Sequence, residues 1–270
     1  FWHSASYIRN GNISKNDENK TRALRPADLK VVLNRAYAKF SLPVQGGFNG
    51  TNIFDIDKSK LGNNATKREM DDSTAQGGTS GPTVAAYRKA IDILGSKTDT
   101  DIQLLAIPDQ RNAAITDFAI SAVENRFDAL YIMDIEERDE FNAVVTSSAD
   151  QSVSPTFTTN AFKNRNLDTS FAAAYFPNVQ LELSNGSSTL VPPSIAALSA
   201  LAQNDSQAHP WIAPAGTTRG ILPRVLQLGT SFANGTLVDN LYEADINPIV
   251  NYQGYGHVVW GQKTLLQNQS

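Results

Sequence analysis

Apolar positions recur along the chain at two periods, and each period predicts an element. In GPTVAAYRKAIDILG, Val84, Tyr87, Ile91 and Leu94 fall at helical spacing between Pro82 and Gly95. Proline suits a first helical turn and glycine suits an end, so the pattern predicts a helix over 82–95. The run IQLLAIP, Ile102–Pro108, is continuously apolar, the pattern of a strand buried on both faces. NAAITDFAISAVENR follows; Asn112 can cap it, and Ile115, Phe118, Ala119, Ala122 and Val123 form one stripe. ALYIMDI, Ala129–Ile135, reads as a second buried strand. Strand, helix and strand with short joints make a βαβ unit, whose crossover is expected to be right-handed.

Further along, FAAAYFP (Phe171–Pro177) predicts a strand, and VQLEL, the Asn185–Gly186 turn and STLVP predict a hairpin. PPSIAALSALAQND predicts a short helix that starts on prolines. GILPRVLQLG is strand-like, and Pro223 makes it an edge or bulged strand. INPIV and HVVWGQKTL predict two final strands. Nearer the start, RPADLKVVLNRAYAKF reads as a helix with Pro26 in its first turn, and LPVQGGFNGTN as a glycine-rich turn. Residues 55–81 are polar and read as a long surface excursion inserted in the core. The expected organisation is an N-terminal segment, 1–41, leading into an α/β core, 42–270. The expected fold class is a layered α/β sandwich with a central mixed, largely parallel sheet and antiparallel additions.

Composition narrows the function classes. The 270 residues suffice to bury about 70–75% of the unfolded surface. There is no cysteine, so disulfides and thiolate metal sites are excluded. A formal charge of −4 argues against a phosphate-backbone partner, and no apolar run reaches a membrane span. The chain opens on Phe1 rather than Met and reads as a piece of a longer protein.

Candidate chemistry is sparse. GTSGPTVAA, Gly78–Ala86, is similar to the nucleophile segment of subtilisin-like proteases, which would make Ser80 a nucleophile. Such a serine needs a histidine base and an orienting carboxylate. The histidines are His3, His209 and His257; only His3 lies upstream, and no aspartate precedes it. The simpler reading has Ser80 and Pro82 starting a helix. The histidine spacing offers no metal-ligand set. Asp134, Glu136, Glu137, Asp139 and Glu140 cluster after a predicted strand, where α/β sheets place ligand sites. A solvated helix start explains that cluster more simply. QGGFNG lacks the Lys-Ser/Thr of a phosphate loop. His257 reads as a partly exposed strand residue. No catalytic, metal or cofactor-binding residue is therefore assigned.

Four stretches, in order, carry a resemblance. They are LPVQGGFNG with Gly46, Gly47 and Gly50; AAYRKAIDILGSKTDTDIQLLAIPD with Tyr87 and Pro108; Ala172–Gly216, with Pro177, Pro192, Pro193, Trp211 and Pro214; and INPIVNYQGYGHVVWGQKTL with Asn247, Pro248, Gly254, Gly256, Trp260 and Gly261. Over about Leu42–Leu265 the chain resembles the sheath protein of contractile phage tails. Tyr255, Gln262, Lys263 and Ile212 depart from the residues common in that family. The resemblance implies a subtilisin-like fold without protease chemistry. It implies sixfold rings stacked helically around an inner tube, whose contraction drives the tube through the host envelope. The implied partners are copies of the chain, the inner tube protein, and baseplate and tail terminator proteins, with no nucleic acid and no membrane. The implied place is the virion tail, assembled in the host cytoplasm. The family's tube-facing C-terminal domain follows the Trp-Gly-x-x-Thr-Leu strand and is expected to be absent here. Bacterial contractile injection devices and tailocins share the family and stand as an alternative. Other classes are a Ser80 hydrolase and a glycan- or receptor-binding module using the 55–81 loop. The motif residues have structural readings: Pro192 and Pro193 stiffen a helix entry, Trp211 and Trp260 pack between layers, and Gly254, Gly256 and Gly261 permit bulges or close approach.

Overall fold

The computed structural model describes residues 61–267 except 76, 148–150, 210 and 233, together with 30 and 32. The expected helix over 26–41 and the turn carrying Gly46, Gly47 and Gly50 lie outside the described residues. The chain divides into two units, Phe1–Asp55 and Ile56–Ser270, and the elements below belong to the second.

Helix α1 (Asn63–Asp71) and a one-turn 3-10 helix (Gly78–Ser80) precede helix α2 (Pro82–Gly95). Then come β1 (Leu104–Ala106), α3 (Ala113–Arg126), β2 (Leu130–Asp134), α4 (Pro155–Lys163) and β3 (Ala172–Phe176). The hairpin β4 (Val179–Glu182) and β5 (Ser188–Val191) leads to α5 (Pro193–Gln207), α6 (Gly216–Arg219) and β6 (Val225–Leu228). Helix α7 (Gly235–Glu243), β7 (Ile246–Tyr252) and β8 (Gly256–Val259) finish the unit.

The central sheet has the order β1-β2-β3-β7-β8. The first four strands pair in parallel, and β8 returns antiparallel to β7. Strand alternation sorts its side chains into two layers. Tyr131, Met133, Ala172, Ala174, Phe176 and Ile246 pack against α2, α3, α4 and α7. Ile132, Ala173, Tyr175 and Ile249 point the other way, toward Ala196, Ala197 and Ala200 of α5. A second sheet, β5-β4-β6, covers the same side through Val179 and Val225. The chain is thus α/β, with a mostly parallel central sheet and antiparallel additions.

The sheet grows in one direction, and with right-handed crossovers such growth keeps connecting helices on one face. Helices α3, α4 and α7 indeed share a layer. Open α/β sheets bind ligands where strand order reverses. The described strand order contains no such reversal.

Most predicted elements are present, with instructive differences. β1 is an edge strand: Leu105 is buried but Leu104 is exposed, so the run is not buried on both faces. β6 is an edge strand of the small sheet, with Pro223 before its first residue and a register shift in β4 opposite it. In the hairpin, Gly186 N donates to Leu183 O at 3.0 Å with φ of 79°, a left-handed position that favours glycine. The 55–81 stretch contains a helix, which corrects its reading as a plain surface excursion. Helix α1 lacks an apolar stripe, yet it buries Ala65 and Thr66 against the core. Helices α4 and α7 have no counterpart in the predicted elements. In PTFTTNAFK, three threonines depress helix propensity, and burial of Thr158, Thr159 and Phe162 compensates.

Candidate functional site

Polar side chains collect where β1 and β2 end. The turn after β1 carries Asp109, Gln110 and Arg111; the chain after β2 carries Glu136 and Glu137. Arg111 is 4% exposed. Its Nη1 pairs with Glu137 Oε2 at 2.5 Å and its Nη2 donates to Asn178 Oδ1 at 2.7 Å, just past β3. Asp109 Oδ1 lies 3.4 Å from the same nitrogen. Asp134, the last residue of β2, is buried and takes three hydrogen bonds: from Asp109 N at 2.9 Å, Ser194 N at 2.8 Å and Ser194 Oγ at 2.8 Å. Helix α1 joins this hub through Thr66 Oγ1, which donates to Gln110 Oε1 at 3.1 Å, and Asn63 Oδ1, which accepts from Arg111 N at 3.3 Å. Gln110 Nε2 and Tyr87 Oη both donate to Leu61 O at 2.8 Å.

The electrostatics are those of a compensated cluster. Burial would discharge Arg111, but Glu137, Asp134 and Asp109 outweigh it and hold the guanidinium protonated. Burial pushes the carboxyls of Asp134 and Glu137 up, and Arg111 opposes that rise. Asp109 is also pushed up by burial and pulled back by Arg111. The five-acid cluster is therefore not a solvated helix start. Asp134 and Glu137 are buried, no helix follows them directly, and Glu136 pairs with Arg138. Asp139 caps its own turn, accepting from Phe141 N at 2.9 Å and Ala143 N at 2.8 Å. Sequence alone missed Arg111, because a lone arginine beside a proline turn carries no spacing signal.

A second buried arginine closes the other end of α3. Arg126 is 2% exposed. Nη1 donates to Leu94 O at 2.6 Å, Ser96 O at 3.3 Å and Thr100 Oγ1 at 3.0 Å; Nη2 donates to Thr100 O at 3.0 Å. It thus satisfies carbonyls left open where α2 ends, and the half-exposed Asp128 meets its Nε at 2.9 Å.

Two helices that start on proline lack a cap of their own and receive one from a distance. Glu69 of α1 accepts from Thr83 N at 2.9 Å and Val84 N at 3.1 Å at the start of α2. Asp134 serves α5 in the same way. In contrast, α3 and α7 carry their own caps: Asn112 accepts from Ala114 N at 2.9 Å and Asn234 from Leu237 N at 3.1 Å.

The remaining candidates sit as follows. Ser80 is exposed in the 3-10 turn before α2. His209 stacks on Trp211 at 4.4 Å between ring centroids, and His257 lies in β8, so no histidine of the described residues serves Ser80. Among the described residues no group of three or more His, Asp or Glu could hold a metal, and no helix is long and apolar enough to cross a membrane. Pro108 is exposed after β1, and Pro177 is buried after β3. Pro192 occupies the position before α5 without a side-chain capping bond, and Pro193 is the first residue of the helix. Pro214 is half-buried in the loop before α6. Trp211 is 77% exposed and Trp260 42% exposed, which corrects their reading as packing between layers. Trp260 instead stacks on Tyr252 at 5.3 Å, on the surface of the β7–β8 hairpin. Gly254 and Gly256 take positive φ in that hairpin, at 88° and 80°. Asn247 is fully buried beside Pro248, and a Cβ on Gly261 would stand 2.7 Å from Asn247 Oδ1, closer than any side chain allows.

No family model matches the chain. It is 38% identical over 69 residues to the tail sheath protein of Vibrio phage KVP40, covering 26% of this chain and 10% of that protein. It is 23% identical over 191 residues to the tail sheath protein of Enterobacteria phage T4, covering 67% of this chain and 29% of that protein. The chain therefore spans less than a third of either relative. Among solved structures it is similar to a chain of the anti-feeding prophage baseplate, with a TM-score of 0.45 and 20% identity over 69% of this chain and 43% of that one. It is also similar to a chain of the contracted helical sheath of the same prophage, with a TM-score of 0.44 and 21% identity over 73% and 46%. By sequence, this chain is similar to the tail sheath proteins of these two phages.

Proposed function

We propose that the chain is the α/β body of a contractile tail sheath subunit. It polymerises as helically stacked sixfold rings around an inner tube, and contraction drives the tube through the host envelope. Its partners are copies of itself, the tube protein, and baseplate and terminator proteins, in a virion tail assembled in the host cytoplasm. The carrying observation is the similarity to a named tail sheath protein over 67% of the chain. The packing suits the role. A body that moves as a unit during contraction needs its loops tied to its core, and the Arg111 and Arg126 hubs tie them. The work is then done at borders between copies, and no reacting group is required. The sixteen motif positions act as structural residues in this reading. Of the described ones, Pro192 and Pro193 stand at a helix entry, Gly254 and Gly256 in a turn, and Asn247 and Gly261 where the chain crosses.

Electron microscopy of the full-length product tests the proposal. Striated tubes are the expected result; monodisperse monomers under assembly conditions overturn it. A serine-reactive fluorophosphonate separates the hydrolase reading. Labelling that disappears in Ser80→Ala supports an enzyme, and absence of labelling supports the sheath body.

A further inference from the structure

The last described residues form no strand, yet they are held at alternate positions. β8 ends at Val259, and the chain then crosses to β3. Lys263 N donates to Asn247 Oδ1 at 2.7 Å, while Asn247 Nδ2 donates to Lys263 O at 2.8 Å and Ala174 O at 3.1 Å. Leu265 N donates to Ala172 O at 3.0 Å, and Leu265 O accepts from Thr169 N at 3.2 Å. Its side chain, 1% exposed, enters the core layer of α3 and α4. Gln267 N donates to Asp168 Oδ1 at 2.9 Å. Lys263 Nζ lies over the Tyr242 ring and donates to Tyr242 O at 2.9 Å, closing the end of α7.

Strand lengths explain why this path exists. β7 begins at Ile246, level with Ala174 on β3, so Ala172 has no partner in β7. Residues 263–265 fill that vacant strand position. They do so with a single bridge, Thr169 to Leu265, and with side chains as clasps. A cleft of about 460 Å³ opens beside them, lined by Phe162, Leu167, Asp245, Lys263, Leu265 and Gln267.

We propose that residues 261–267 are a latch that opens as a unit while the sheet stays folded, baring the Leu265 socket and the uncovered part of β3. Opening breaks the Asn247, Asp168 and Tyr242 clasps and the two main-chain bonds of Leu265 and withdraws one core side chain, whereas β2 and β3 are held on both sides and both faces by several residues each. The latch is a conformational device distinct from the assembly reading and does not rest on it.

Native-state hydrogen exchange on the whole chain at low denaturant tests this. Lys263, Leu265 and Gln267 amides should exchange at least about tenfold faster than Tyr131, through openings insensitive to denaturant. Asn247→Ala should speed the three a further roughly tenfold while leaving Tyr131 in step with global stability. If that variant does not fold, Lys263→Met, which removes the side-chain clasp on Tyr242 O and the ion pair with Asp245, should act in the same direction and less strongly. Latch amides that share the free energy and denaturant slope of Tyr131 would overturn the proposal, as would a variant that shifts all amides equally.

Discussion

Arg111 and Arg126 sit at opposite ends of the same helix, both almost wholly out of water, and their guanidinium groups are met by different kinds of partner. Arg126 meets three main-chain carbonyls, the Thr100 hydroxyl and a half-exposed Asp128. Its counter-charge is largely the negative end of α2. Arg111 meets two buried side chains, Glu137 and Asn178, with buried Asp134 nearby. A carbonyl keeps its dipole whatever becomes of the arginine. A buried carboxylate left alone must be discharged or desolvated without return. The two ends therefore differ in what a loss leaves behind, and that difference can be measured.

The largest effect belongs to Arg111→Met, which strands Glu137 and Asp134. It should destabilise by about 3–5 kcal/mol in urea unfolding. Adding Glu137→Leu should restore part of that loss, because removing both partners costs less than removing one. A double variant no better than the single would break the contrast. Arg126→Met should cost less, about 2–3 kcal/mol, since the carbonyls at the end of α2 lose charged donors but strand no ion. A larger loss there than at Arg111 would reverse the assignment of roles.

A finer test is pH. Burial raises the Glu137 carboxyl in the folded state above its unfolded value. Folding then penalises its ionised form. The penalty is absent below the unfolded carboxylate range and is fully present once pH has risen through the folded value. Wild type should therefore lose stability relative to Glu137→Gln as pH rises out of the carboxylate range, by paired urea titrations at pH 4 and 7. A difference that does not change with pH would show that Arg111 cancels the burial. The smallest effect is Asn112→Ala, expected to cost about 1 kcal/mol, because α3 carries its own cap between the two hubs.

The same contrast separates what was legible from what was not. The stripe on α3 and its Asn112 cap are local: the cap stands as read, and of the stripe Ile115, Ala119 and Val123 are buried while Phe118 and Ala122 are partly so, with Thr116 and Ile120 joining the buried face. Asn234 is an equally local cap, but the short run it starts, GTLVDNLYE, carries too few apolar positions to predict α7. Glu69 and Asp134 cap helices from another element, and no window around Pro82 or Pro193 contains them. Asn247 was named from its motif, but its clasp on residue 263 is a contact across 16 positions. The acidic run after β2 misled because charge alone suggests solvent, and only the arrival of Arg111 makes burial affordable.

By itself the amino-acid order determined the elements whose signal is periodic or local: the βαβ unit, the hairpin at Asn185–Gly186, the α5 helix and the existence of two final strands, the second of which stops at Val259, short of the predicted run to Leu265. Periodicity reports which side of an element must leave water, so the two layers followed from it. Only the tertiary structure decided that polar α1 folds, that Asp134 and Glu137 are buried, that Trp211 and Trp260 stay exposed, and that 263–265 completes the sheet beside β3. Each of these depends on a partner far along the chain, and the energy of a charge or an unpaired amide is set by what stands against it in space.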